Sequence, residues 1–213
     1  MSVRLLFFHG WGFDSAIWDK VVAMVESFEI GFADRGYFGG FREDPSDGTV
    51  LAVAHSFGAM RVLANLPTHC AGMVAVNGFD YFAAHDGYPG VPRRVLDRMI
   101  GRFGVDPEAT LSDFRMRCGA SRSLPTICGD ALGADLIVLR DGDCRDEAAT
   151  FGAPILSLQG GADPIMPLAM RDAVFAHGQQ VSRIVARDGG HLLPLTHPEL
   201  CAKAILQLAE RVA

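Results

Sequence analysis

The chain has 213 residues, of which 49% are hydrophobic and 21% charged, enough apolar material for one buried core. A formal charge of −6 argues against any general affinity for phosphate backbones or anionic lipid. No apolar run reaches the ~18 residues of a membrane span, and Met1 leads into an apolar strand without a signal-peptide layout. The expectation is a soluble, cytoplasmic, monomeric protein. Five widely spaced cysteines with no C-x-x-C pair suggest reduced thiols and neither a disulfide framework nor a zinc site.

Val3 to Phe8 reads as a strand buried on both faces that stops at the glycine-rich turn His9-Gly10-Trp11-Gly12. Asp14 or Ser15 can cap a helix through about Ser27. Phe28 to Ala33 reads as a second strand, and a Gly/Asp/Pro-rich loop follows to Gly48, too short for a full crossover helix. Val50 to Ala54 is a third strand that runs into His55-Ser56-Phe57-Gly58 and a helix to about Asn65; Gly72 to Val76 is a fourth, ending at Asn77-Gly78. Alternation of this kind implies parallel strands joined by crossover helices.

The pattern then breaks. From Phe79 to about Asp146 the chain has helical stretches, Val91 to Phe103 and Glu108 to Cys118, but no strand with a glycine exit. Strand character returns at Pro154 to Leu158, before Gly160-Gly161-Ala162-Asp163, and at Ser182 to Ala186, before Asp188-Gly189-Gly190-His191; a closing helix starts at Pro198. The expected organisation is a core of residues 1–78 and 147–213 with a helical cap, 79–146, inserted after the fourth strand.

Ser56 sits where a strand turns sharply into a helix with Gly58 two residues on, the layout of a nucleophile elbow. Ala54 stands where glycine is usual, and the alternative is that Ser56 merely caps the helix. A serine hydroxyl needs a base to become nucleophilic, and the base needs an orienting acid. Asp163 and His191 supply them in the chain order Ser, Asp, His, each after a predicted strand. An oxyanion would require two backbone donors, assigned to Phe57 and to Trp11, whose indole would also wall the pocket. His9 reads as a residue that orients its turn. Ser121 and Ser123 lack an elbow, Asp80 comes early for the acid, His55 points across the turn, and Cys118 has no evident base. His85, His177 and His197 show no metal-ligand spacing, and no phosphate-binding glycine loop occurs, so neither metal nor cofactor is expected.

Together HGWG, AHSFG, GGADP and DGGH resemble the α/β-hydrolase superfamily over nearly the whole chain. Trp18 six residues after HGWG, NGFDYF after the fourth strand and DFRMRCG make the sequence similar to the pimeloyl-acyl-carrier-protein methyl ester esterases of biotin synthesis. That resemblance implies an α/β-hydrolase fold, a mostly parallel sheet flanked by helices, and hydrolysis of a carrier-bound methyl ester by Ser56, Asp163 and His191. Trp11 and Phe57 would then be the oxyanion donors, and Phe114 and Met116 would line the acyl site.

The partner implied is an acidic acyl carrier protein. Between Arg93 and Arg122 seven arginines face four acids, a local charge of +3. Arg94, Arg98 and Arg102 recur at i, i+4 and i+8 on one helical face, and with Arg93 and Arg115 they could dock such a carrier; the alternative is a solvated surface. A generic small-molecule carboxylesterase or lactonase with the same triad, and more remotely a non-catalytic binding protein of the same fold, are the competing readings.

Overall fold

In the computed structural model, which describes residues 3–44, 48–121 and 124–212, the first strand β1 (Arg4–Phe8) lies inside the sheet and pairs in parallel on both sides. Four of its five residues are buried, as a run apolar on both faces requires. The Asp14 carboxylate accepts from the Ala16 N–H and starts a 3-10 turn over Ser15–Trp18, followed by α1 (Asp19–Val22). The helix expected through Ser27 is thus shorter: Met24 and Val25 donate to the carbonyls three residues back, so the coil tightens and ends.

After β2 (Glu29–Asp34) comes an element the sequence does not announce, the two-residue strand β3 (Arg42–Glu43), antiparallel to β2 at the sheet edge. It turns the chain back along the edge, so β4 (Val50–His55) is reached without a crossover helix. This resolves the shortness of the segment between Asp34 and Val50. All six residues of β4 are buried. Next come α2 (Gly58–Ala64) and β5 (Cys70–Val76).

Among the described residues four helices separate β5 from the following strand: α3 (Arg93–Phe103), α4 (Pro107–Cys118), α5 (Gly129–Asp141) and α6 (Arg145–Thr150). The first two match the expected helical stretches; the expected end of the inserted segment, 146, falls inside α6. Then follow β6 (Ile155–Gly160), α7 (Leu168–Ala173), β7 (Val181–Ala186), α8 (Leu193–Thr196) and α9 (Pro198–Val212).

The sheet order is β3-β2-β1-β4-β5-β6-β7, parallel except for β3. The connection from β1 to β2 and that from β4 to β5 run in opposite directions, so right-handed crossovers put their helices on opposite faces. The strand order therefore reverses between β1 and β4, where such sheets open a crevice at their C-terminal ends. The helix α3 packs against both α4 and α5 over that end. They are tied down by the Trp11 indole, which donates to the Leu132 carbonyl at 2.8 Å, and by Arg35, whose guanidinium forms a two-pronged pair with Asp135 at 2.6 Å. No helix among the described residues is long and apolar enough to cross a membrane.

Candidate active site

Ser56 follows β4 directly and adopts φ +53°, a strained value for a residue with a side chain. Its own N–H donates to the Val76 carbonyl at 3.0 Å and its carbonyl accepts from Ala59 at 3.1 Å, so the turn is held from both sides. The tightness explains Gly58: a Cβ there would stand 2.6 Å from the Phe8 carbonyl oxygen. Ala54, by contrast, is an ordinary strand residue in register with Phe8 and Ala75, and its methyl fits.

The three residues expected to act together do meet. His191 lies past the end of β7 and Asp163 past the end of β6. The His191 Nδ1 is 2.8 Å from Asp163 Oδ2, and its Nε2 is 3.2 Å from Ser56 Oγ. With the carboxylate on Nδ1, that nitrogen carries the proton, which leaves Nε2 to accept from the serine hydroxyl. All three residues are buried. Burial pushes the Asp163 carboxyl up, but the His191 charge, its hydrogen bond and the N–H groups of Ile165 (2.7 Å) and Met166 (3.3 Å) outweigh it, and the net shift is downward. Asp163 is thus held as an anion beside the imidazole.

The two loops carrying Asp163 and His191 touch through their backbones. A Cβ on Gly160 would lie 2.3 Å from the Gly190 oxygen and one on Gly161 2.4 Å from the Arg187 oxygen, so the glycine pair before Asp163 serves this close approach. Among the described residues the N–H groups of Trp11 and Phe57 donate to nothing, which leaves both available to a ligand oxygen. The Trp11 ring itself is buried against Phe114, with centroids 4.9 Å apart, and fixes the turn. His9 orients that turn as expected, accepting from the Arg35 N–H at 2.9 Å on Nε2 and donating from Nδ1 to the Gly10 carbonyl.

Two residues to which the sequence analysis gives no role, Asn77 and His55, hold His191 in place. The His191 carbonyl accepts from Asn77 Nδ2 and from His55 Nε2, both at 2.9 Å. Asn77 also donates to Gly190 and accepts from the Gly160 N–H at 2.7 Å, and so stitches the β5, β6 and β7 ends together. His55 is fully buried, between the rings of Phe13 and Trp18, and 5.0 Å from the His191 ring. Burial first, and the neighbouring His191 charge second, lower its pKa to about 3, so His55 stays neutral. Cys118 is buried as well; burial and the Asp163 charge push its thiol far above the ordinary range, which excludes it as a nucleophile at neutral pH.

A cavity of about 420 Å³ adjoins Asp163. Its walls come from α3 (Val95, Leu96, Met99), from Phe114 and Arg117 of α4, and from the segment Asp163–Leu168 with Arg171. Phe114, expected to line an acyl site, stands on this wall. Met116 does not; it stands on the exposed side of α4, 39% accessible, because the helix turns residues 114 and 118 inward. A larger cavity, about 630 Å³, lies between α2 and the β2–β3 edge and includes none of the three residues.

The five arginines expected to form a docking stripe divide. Arg94 and Arg98 are exposed and, among the described residues, have no acid partner. Arg93 pairs with Asp141, and Arg102 with Asp113 at 2.7 Å. Arg115 is half-buried, donates to the Gly12 carbonyl at 2.7 Å and lies over the rings of Phe13 and Phe38, so it braces the β1 turn and is no surface contact. Arg122 and Ser123 lie outside the described residues.

No family model matches the chain. Its sequence is 22% identical over 242 aligned positions to the pimeloyl-[acyl-carrier protein] methyl ester esterase of Pectobacterium carotovorum, covering 98% of this chain and 95% of that protein. It is 25% identical over 228 positions to the protein of the same name from Serratia marcescens, covering 92% and 89%. Among solved structures, an esterase from Exiguobacterium antarcticum superposes with a TM-score of 0.81 at 17% identity, over 99% of this chain and 92% of that one. The enol-lactonase from Burkholderia xenovorans gives 0.79 at 13%, again over 99% and 92%.

Proposed function

From the premise that this chain is an α/β hydrolase in fold, we propose that it is a serine-dependent carboxylic ester hydrolase. The observation that carries the reading is the chain of contacts from Ser56 through His191 to Asp163, 3.2 and 2.8 Å long, on a serine held at φ +53°. Ser56 Oγ attacks the ester carbonyl while His191 Nε2 takes its proton. The Trp11 and Phe57 N–H groups hold the oxyanion. His191 returns the proton to the departing alkoxide, which leaves as the alcohol, and Asp163 stabilises the imidazolium in between. Water, activated by the same imidazole, then releases the acid. Segment 79–146 acts as the cap that closes the site and supplies the apolar wall around Phe114.

The substrate proposed is the methyl ester of an acyl chain, in the first instance pimeloyl, carried by an acyl carrier protein. Support comes from the similar esterases that bear this name and from Arg94 and Arg98, unpaired beside the cavity residues Val95 and Met99. Ser56→Ala is expected to lower the kcat for ester hydrolysis by at least ~1,000-fold with an unchanged circular dichroism spectrum. Retained turnover would exclude the mechanism. Comparison of a carrier-bound methyl ester with the free ester tests the substrate: equal kcat/KM removes the carrier from the proposal.

A further inference from the structure

One feature of the cavity is not used by this mechanism. Arg171, on α7, is only 9% exposed and lines the cavity, eight residues along the chain from Asp163. A guanidinium cannot lose its charge in a protein, and one removed from water calls for an anion or an aromatic face. Arg171 has neither: among the described residues no carboxylate lies within ion-pair distance and no ring lies beneath it. Its Nη1 donates to the Gly160 carbonyl at 2.6 Å, while Nε is buried and has no partner. The other buried, unpartnered arginine nitrogens differ, since Arg4 pairs with Glu29 and Arg115 lies over two rings. The rest of the wall is mostly apolar, with the Arg117 cation at the exposed side, where it donates to the Pro164 carbonyl.

We infer that Arg171 is the receptor for a carboxylate at the far end of the acyl chain, so that free half-esters of dicarboxylic acids are substrates in their own right. The inference rests on the serine-hydrolase reading of the site but not on the carrier protein. A carrier holds the distal end of the chain as a thioester; in a free half-ester that end is a carboxylate, which complements the buried guanidinium. Apolar contacts along Leu96, Met99, Phe114 and Ile165 would hold the methylenes. The covalent step stays ester hydrolysis, in which methanol leaves and water supplies the new acid oxygen.

The test uses a matched pair of equal chain length, monomethyl adipate and methyl hexanoate. Wild type is expected to favour the half-ester in kcat/KM by ~10-fold or more. Arg171→Met should lower that ratio by about 10- to 100-fold, chiefly through KM, and Arg171→Lys should recover part of it. Arg171 also braces the turn that carries Asp163, but damage to that brace slows both esters and cancels in the ratio. A wild-type ratio near one, or one that Arg171→Met leaves unchanged, overturns the inference. If neither ester shows Ser56-dependent turnover, the hydrolase reading has failed. Calorimetry with adipate then decides the subsite separately: binding that Arg171→Met weakens supports it, and no binding in wild type rejects it.

Discussion

Ser56 and His55 are neighbours with opposite tasks, and the elbow separates them. The serine hydroxyl is turned toward the imidazole of His191, while the His55 ring passes to the other side of the strand end and grips the backbone of the same residue. This task needs a donor but no charge. In the unfolded chain His55 titrates near 6.5, and in the fold near 3. Between those values the unfolded state binds more protons, so the stability tied to a neutral His55 is complete above pH 6.5 and drains away as pH falls toward 3. Each pH unit below 6.5 costs about 1.4 kcal/mol. His55→Gln keeps an N–H without titrating, and its stability loss between pH 6.5 and 5, read by urea unfolding, should be about 2 kcal/mol smaller than that of wild type; parallel curves would contradict the assignment.

Among the elements, the β6 and β7 exits show how strand ends bring Asp163 and His191 together. Their turns are pressed together until the Gly190 oxygen occupies the space a side chain on Gly160 would need. Gly160→Ala must push the Asp163 and His191 loops apart. It should cost about 1–3 kcal/mol in stability and lower kcat by ~100-fold, because small displacements of acid and base are heavily penalised. Thermal melts with parallel kinetics check both numbers, and full activity in a folded variant would count against the packing argument. Strand β6 is readable in sequence as an apolar run cut off by glycines, whereas β7, with Ser182 and Arg183 inside it, is only weakly marked and is signalled mainly by the glycine turn that follows. The two-residue β3 and the six-residue α7 carry too few residues for any periodicity. In α5 the core residues Leu132, Leu136 and Leu139 do recur at helical spacing, but two glycines in GDALGADL mask the pattern. The candidate triad is legible because the strand order of this fold puts Ser, Asp and His at successive strand exits in that order along the chain. The clamp on the His191 carbonyl was not, since a hydrogen bond from His55 to a backbone atom 136 positions away leaves no mark on local sequence.

At the scale of the molecule, an acidic chain presents a basic helix beside its candidate site. The stripe visible in sequence is thinner in the structure, because Arg102 is paired and Arg115 is drawn inward. Reversing Arg94 and Arg98 to Glu together should raise KM for a carrier-bound ester by ~10-fold or more at low salt, and the effect should shrink in 0.5 M salt, as exposed charges are screened. A salt-independent change, or an equal change for a free ester, would detach these arginines from any carrier. The sheet order also has a consequence in time. Ser56 and His191 are 135 positions apart, and the indole that pins the helices over the crevice reaches across 121. A chain emerging from the ribosome can pair β1, β2 and β4 early, but under the proposed mechanism Ser56 has no base until the His191 loop has followed. Esterase activity should therefore be absent from every nascent fragment that stops short of that loop, however much of the sheet it has already folded.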